Sequence, residues 1–229
     1  MDEFAKQYRC ILYDMPNFAK TGPMIYQEGT HAVQARVGAH LLDALGIKQQ
    51  VAWVGNSQGG QSSLVAAIKY QDRVKKFVMG GSHIATGGDI YFLANRPDEA
   101  RYFTNLVVAN PTKDNVRLYL TKHVFDEQLV TDDLVDYIHQ WYTWSPELLD
   151  ARAKSKSIPH DYREDLPKIK APAFMVHGRY DRMVPFEVSI TALALIPNAR
   201  MLGFGDTGDW TPFEKPKEYA RHVLAFLQE

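Results

Sequence analysis

A single cysteine, Cys10, stands in 229 residues, so no intrachain disulfide can form and a reducing cytoplasm is the expected compartment. Charge of one sign is also lacking. Lys and Arg number 26 and Asp and Glu 27, and the net charge of −1 gives neither nucleic acid nor an anionic bilayer an electrostatic footprint. No apolar run is long enough to cross a membrane. Met1-Asp-Glu-Phe-Ala-Lys6 is acidic where a secretory signal would be basic and then apolar. Repeats, low-complexity tracts and Cys/His clusters are missing, and His31 and His40 do not have metal-ligand spacing, so neither a metal nor another cofactor is expected. What is left is a globular chain, 45% hydrophobic and 23% charged, sized for one domain with room for a subdomain.

The most informative segment is Val51-Ala-Trp-Val-Gly-Asn-Ser-Gln-Gly-Gly60, an apolar run that passes straight into Gly-x-Ser-x-Gly and then into a helix-forming stretch. That context is a nucleophile elbow, a sharp strand-to-helix turn that lifts the Ser57 hydroxyl above the end of a sheet. Glycine at both flanks, Gly55 and Gly59, is expected because a side chain there would strike strand or helix. The Gln58 N–H, at the start of the helix, can face a developing oxyanion.

Around it the pattern alternates. Strands are expected at Arg9–Tyr13, Val51–Val54, Lys76–Met79, Ala173–His177 and Arg200–Phe204. Helices are expected from Thr30 to Leu45, closed by Gly46, from Gly59 to Tyr70, and at the C-terminus through Tyr219, Val223, Phe226 and Leu227. The result is an α/β fold, a parallel sheet of about five strands with helices on both faces. Residues 87–168 break the rhythm with helical, aromatic-rich sequence and read as a helical lid over a pocket, while 1–86 and 169–229 form the core. Gly87-Gly88-Asp89 signals only a loop.

These residues resemble the α/β-hydrolase family, and within it the meta-cleavage product hydrolases, which cleave a carbon–carbon bond in products of aromatic ring opening. The resemblance rests on Tyr8–Phe18, the Gly-Asn-Ser-x-Gly-Gly elbow, Asp126–Leu134, His177-Gly-Arg-Tyr-Asp-Arg-Met-Val-Pro185, and Gly208-Asp-Trp with Glu214. It implies Ser57 as nucleophile, Asp181 as the acid of a triad, and Asn56 and Trp210 in the pocket wall.

Three departures stand against it. The family has Gly-His-Trp where this chain has Gly208-Asp209-Trp210, and no histidine lies between His177 and His222. A serine hydroxyl needs a base with a pKa near working pH, and Asp209 beside Asp181 would form a coupled acid pair instead. His83, after the third strand, is a candidate replacement, and His177 is expected to support the acid loop. The family's first three strands and their glycine-rich oxyanion loop are missing. The expectation is therefore a shortened protein or a partial reading of a longer one. Either the strands at 9–13 and 51–54 close up, or a partner chain fills the gap, so a homo-oligomer is compatible with this. Finally, Ile138 stands where the family has a carboxylate-binding arginine.

The expected function is a serine hydrolase of this branch, acting on a small hydrophobic or aromatic-derived substrate and weakly active or inactive for want of the histidine. The alternatives are a carboxylesterase, or a non-catalytic member that binds a small hydrophobic ligand.

Overall fold

The computed structural model describes residues 1–85 and 97–229. Four parallel strands form one sheet in the order β1 (Val51–Asn56), β2 (Val74–Gly80), β3 (Ala173–Gly178), β4 (Ala199–Phe204). Parallel neighbours need crossovers, and helices supply them. Between β1 and β2 runs α3 (Gln58–Lys69), and between β3 and β4 runs α8 (Phe186–Leu195). Ahead of β1 come α1 (Asp2–Ala5), a single turn, and α2 (Thr30–Ala44). Short α9 (Thr211–Glu214) and α10 (Pro216–Gln228) close the chain.

The alternation of side chains explains why both faces of the sheet are dry. Phe77, Met79 and Met175 point to one side and pack with Leu64, Val65, Val184 and Val188 beneath α3 and α8. Val78, Phe174 and Val176 point to the other and meet Tyr219, Val223 and Phe226 of α10. Helix α2 ends at Gly46, whose φ of +69° suits a residue without Cβ.

Between β2 and β3 stand α4 (Pro97–Ala109), α5 (Lys113–Thr121), α6 (Asp132–Tyr142) and α7 (Pro146–Lys154). Their starts follow from sequence. The hydroxyls of Thr112, Thr131 and Ser145 accept from the backbone N–H of Asn115, Leu134 and Leu148. Val107, Val116, Leu120, Val124, Val130 and Val135 give this region an apolar cluster separate from the two at the sheet. The expected boundary at 86/87, and Gly87-Gly88-Asp89 with it, lie outside the described residues.

The fold class is as expected, but the strand expected at Arg9–Tyr13 does not form, so among the described residues the sheet has four strands rather than about five. Leu12 is 68% exposed, and the Tyr13 hydroxyl donates to the Gln34 carbonyl of α2. The two segments therefore do not close up. Among the described residues β1 pairs only with β2, and Val54 is 44% exposed. A strand needs a neighbour as well as a pattern.

Candidate active site

Ser57 occupies the turn between β1 and α3 with φ +51° and ψ −119°, a region that costs a residue with a Cβ about 1–3 kcal/mol. The neighbouring strand holds it there. Ser57 N–H donates to the Gly80 carbonyl at 2.6 Å, and the Ser82 hydroxyl donates to the Ser57 carbonyl at 2.9 Å. A Cβ on Gly55 would lie 2.1 Å from the Gly59 carbonyl group, and one on Gly60 would lie 2.0 Å from Ser82 Oγ. A Cβ on Gly59 would meet only Met15 Cε, at 3.9 Å. The steric demand expected of Gly59 thus belongs to Gly60. Gln58 opens α3, and its N–H is one of the first-turn donors that a helix leaves without an internal partner.

Asp181 lies in the loop after β3, and three donors converge on its buried carboxylate. Met183 N–H and Val184 N–H reach Oδ1 at 2.7 and 2.8 Å, and His177 Nε2 reaches Oδ2 at 2.9 Å. His177 Nε2 also faces the Val184 carbonyl, while Nδ1 is 2.7 Å from Ser189 Oγ. Two acceptors at Nε2 put the hydrogen there and leave Nδ1 to accept from the serine. His177 therefore braces the acid loop.

Asp209, after β4, is buried with neither carboxyl oxygen in a hydrogen bond. It meets Asp181 above Gly81, where a Cβ would lie 2.8 Å from Asp209 Oδ1 and 3.0 Å from Asp181 Oδ2. Burial first, then the charge of Asp181, hold its pKa well above the usual carboxylate range, and the Glu214 charge adds to this. The Ser57 hydroxyl acts the other way, by more than the Glu214 charge adds. Asp209 is therefore biased toward its protonated, neutral form.

The imidazole that reaches Asp209 is one the sequence did not suggest. His123, just past α5, places Nε2 3.7 Å from Asp209 Oδ2. Its Nδ1 is 2.9 Å from the Tyr119 carbonyl, which fixes the hydrogen on Nδ1 and turns the Nε2 lone pair toward Asp209. Burial pushes its pKa down to about 4. The Trp210 N–H donates to the His123 carbonyl at 3.0 Å, and the two rings lie 5.2 Å apart. Glu214 accepts from Gly208 N–H with one oxygen and from Phe125 N–H and Asp126 N–H with the other, tying the Asp209 loop to the helical region.

The remaining expected residues fall around this centre. Asn56 donates its amide to the Asp209 carbonyl at 2.9 Å and keeps Oδ1 buried without a partner. His83 comes near Asp181, His31 and His177, and burial takes its pKa down to about 4. Ile138 packs in the α5–α6 cluster and lines a cavity of about 390 Å³ with Phe18, Trp141, Tyr142, Lys20 and Arg152. The Arg152 guanidinium lies 4.1 Å from the Phe18 ring centre and donates to the Asn17 carbonyl, while Nε and Nη1 are buried without partners. Sequence reasoning passed over Arg152 because one basic residue in an ordinary helix carries no signal of its own. Among the described residues no group of His, Cys, Asp and Glu could hold a metal.

A family model described as the alpha/beta hydrolase fold matches residues 1–216. Over all of this chain and 80% of its own length, the 2-hydroxy-6-oxononadienedioate/2-hydroxy-6-oxononatrienedioate hydrolase of Burkholderia vietnamiensis is 34% identical. Among solved structures, a meta-cleavage product hydrolase from Pseudomonas fluorescens superposes with a TM-score of 0.78 at 24% identity, covering 99% of this chain and 82% of its own. An esterase from Thermogutta terrifontis superposes with a TM-score of 0.79 at 19% identity over the same shares.

Proposed function

Because the chain belongs to the alpha/beta hydrolase fold family and is related to its meta-cleavage product hydrolases, we propose that it is a serine hydrolase with Ser57 as its nucleophile. The observation that carries this is the order of groups at the strand ends. Ser57 stands on a strained turn whose preceding residue, Asn56, donates to the Asp209 carbonyl, and the Asp209 and Asp181 carboxyls approach one another at Gly81. Asp181 is the triad acid, the Gln58 N–H an oxyanion donor, and Asp209 stands where relatives carry histidine. Asn56 orients Asp209 through its carbonyl, His83 contributes beside Asp181, and Trp210 and Ile138 supply apolar wall. The helices of 97–168 act as the lid.

The substrate is a small, aromatic-derived ketone or ester. The Burkholderia relative is named for a dienedioate, and Arg152 and Lys20 at the cavity offer cations to a carboxylate where Ile138 cannot. Turnover is slow, because a neutral carboxyl is a poor substitute for imidazole. In a serine protease, losing the triad histidine costs roughly 10⁶ in kcat.

A second reading is a non-catalytic protein of this fold that binds a small hydrophobic ligand. The burial of Asp209 without a hydrogen-bond partner favours it. Turnover of a p-nitrophenyl ester and of a 2-hydroxy-6-oxodienoate by wild type, Ser57→Ala and Asp209→His separates the two. Slow wild-type turnover that Ser57→Ala abolishes, and that Asp209→His raises at least roughly tenfold, is expected of the hydrolase. Binding without turnover in all three proteins would leave the ligand-binding reading. A faster ester than dienoate would mark a carboxylesterase.

A further inference from the structure

The site contains an imidazole that the family-like triad does not use. We propose that His123 supplies, through the Asp209 carboxyl, the base that Ser57 lacks. This rests on the serine-hydrolase reading and deepens it. Three observations converge. The backbone brings Ser57 and Asp209 together: Asn56 donates to the Asp209 carbonyl, and Ser57 N–H donates to the Gly80 carbonyl, next to Gly81, where a Cβ would lie 2.8 Å from Asp209 Oδ1. Both oxygens of Asp209 are buried without a hydrogen-bond partner. Its Oδ2 faces an Nε2 lone pair, because the Tyr119 carbonyl has claimed the hydrogen on Nδ1.

A neutral carboxyl between a hydroxyl and a lone pair is a two-ended proton carrier. As Ser57 Oγ bonds to the substrate carbonyl carbon, the carbonyl π electrons move to its oxygen, toward the Gln58 N–H. The Ser57 proton passes to one oxygen of Asp209, and the proton on the other oxygen passes to His123 Nε2. Asp209 stays neutral and His123 becomes imidazolium. When the tetrahedral centre collapses, the leaving group takes a proton back along the same route. At 3.7 Å the second transfer needs a small closure of His123 on Asp209.

The surroundings fit that charge movement. Burial opposes a cation at His123, and the Tyr119 carbonyl and then the charge of Asp181 offset part of that cost, while burial and Asp181 together oppose an anion at Asp209. Glu214 acts on Asp209 in the same sense from α9. From α5 and α6 the packed groups are Tyr119 and Tyr142, both held neutral by burial, with Arg152 beyond them and the Trp210 ring against the imidazole. His123 acts through another side chain and is a positioning residue in this scheme, whereas Asp209 is the group that exchanges the proton with Ser57.

The test is the rate at which a fluorophosphonate labels Ser57, measured from pH 4 to 9 in wild type, His123→Gln, Asp209→Asn, their double variant and Asp209→His. The relay requires neutral His123 and protonated Asp209, so the wild-type profile is a bell. His123→Gln should slow labelling at least roughly tenfold and remove the acid limb. Asp209→Asn should do the same and remove the alkaline limb, and the double variant should be no slower than either single one. Because His123→Gln could unfold the helical region, ¹⁵N NMR of the wild-type imidazole gives an independent reading. Hydrogen on Nδ1, with an Nε2 shift that moves in Asp209→Asn, is expected, and hydrogen on Nε2 overturns the relay. Labelling of His123→Gln at the wild-type rate, or multiplicative losses in the double variant, also overturns it and leaves the hydrolase reading standing. If only Asp209→His is labelled, the relay falls alone. If no form is labelled, both fall.

Discussion

After β3 the chain brings Met183 N–H, Val184 N–H and the His177 ring to Asp181; after β4 it brings no hydrogen-bond donor to Asp209. Both carboxyls are buried, both sit at the C-terminal end of a parallel strand, and they meet over the same glycine. Burial alone therefore does not decide what a carboxyl is. The loop that closes tightly offers its carboxyl backbone N–H groups, and the loop that does not leaves its carboxyl biased toward the protonated form.

Replacing Asp181 should break the comparison with the largest effect. Asp181→Ala leaves two backbone N–H groups without their acceptor and the His177 ring with only the Val184 carbonyl, and should cost about 3 kcal/mol in urea unfolding. A loss under about 1 kcal/mol would mean that water takes over the three donors. Gly81→Ala comes next. At φ +46° a Cβ is strained and strikes both carboxyls, so a loss of about 2 kcal/mol is expected, together with altered titration of the pair by NMR. Stability equal to wild type would show that the carboxyls can separate freely.

Asp209→Asn sharpens the contrast with the smallest change, and its sign is opposite. The pKa of Asp209 is raised on folding, so its stabilising contribution is complete below the unfolded carboxylate value and fades as pH rises toward the folded one. Asparagine has no such slope. Its advantage should therefore widen with pH, to about 1 kcal/mol at pH 8, or about 2–4 °C in Tm for a chain of this size. A variant that melts below wild type at pH 8 would contradict a neutral, unpartnered Asp209.

Much of this was legible in the sequence. Val51–Gly60 announced the elbow, and the helix from Thr30 to Ala44 followed from its spacing and its terminal glycine. Asp181 and Asp209 were named through the resemblance to the meta-cleavage product hydrolases. Residues 9–13 misled because their apolar pattern is that of a strand while the folded chain gives it no partner. Gly59 misled because a motif records which residues recur, whereas the crowding falls on Gly60. His123 could not be found at all. Nothing near it in sequence marks it, and its meaning comes from a tertiary contact with a loop far along the chain.

Glu214 fastens that contact from below. One carboxylate receives Gly208 N–H from the loop that carries Asp209 and Phe125 and Asp126 N–H from the turn that carries His123. Any displacement of residues 123–126 must either carry residues 208–210 along or release those three hydrogen bonds together. The imidazole and the acid are thus geared to one another by a single carboxylate.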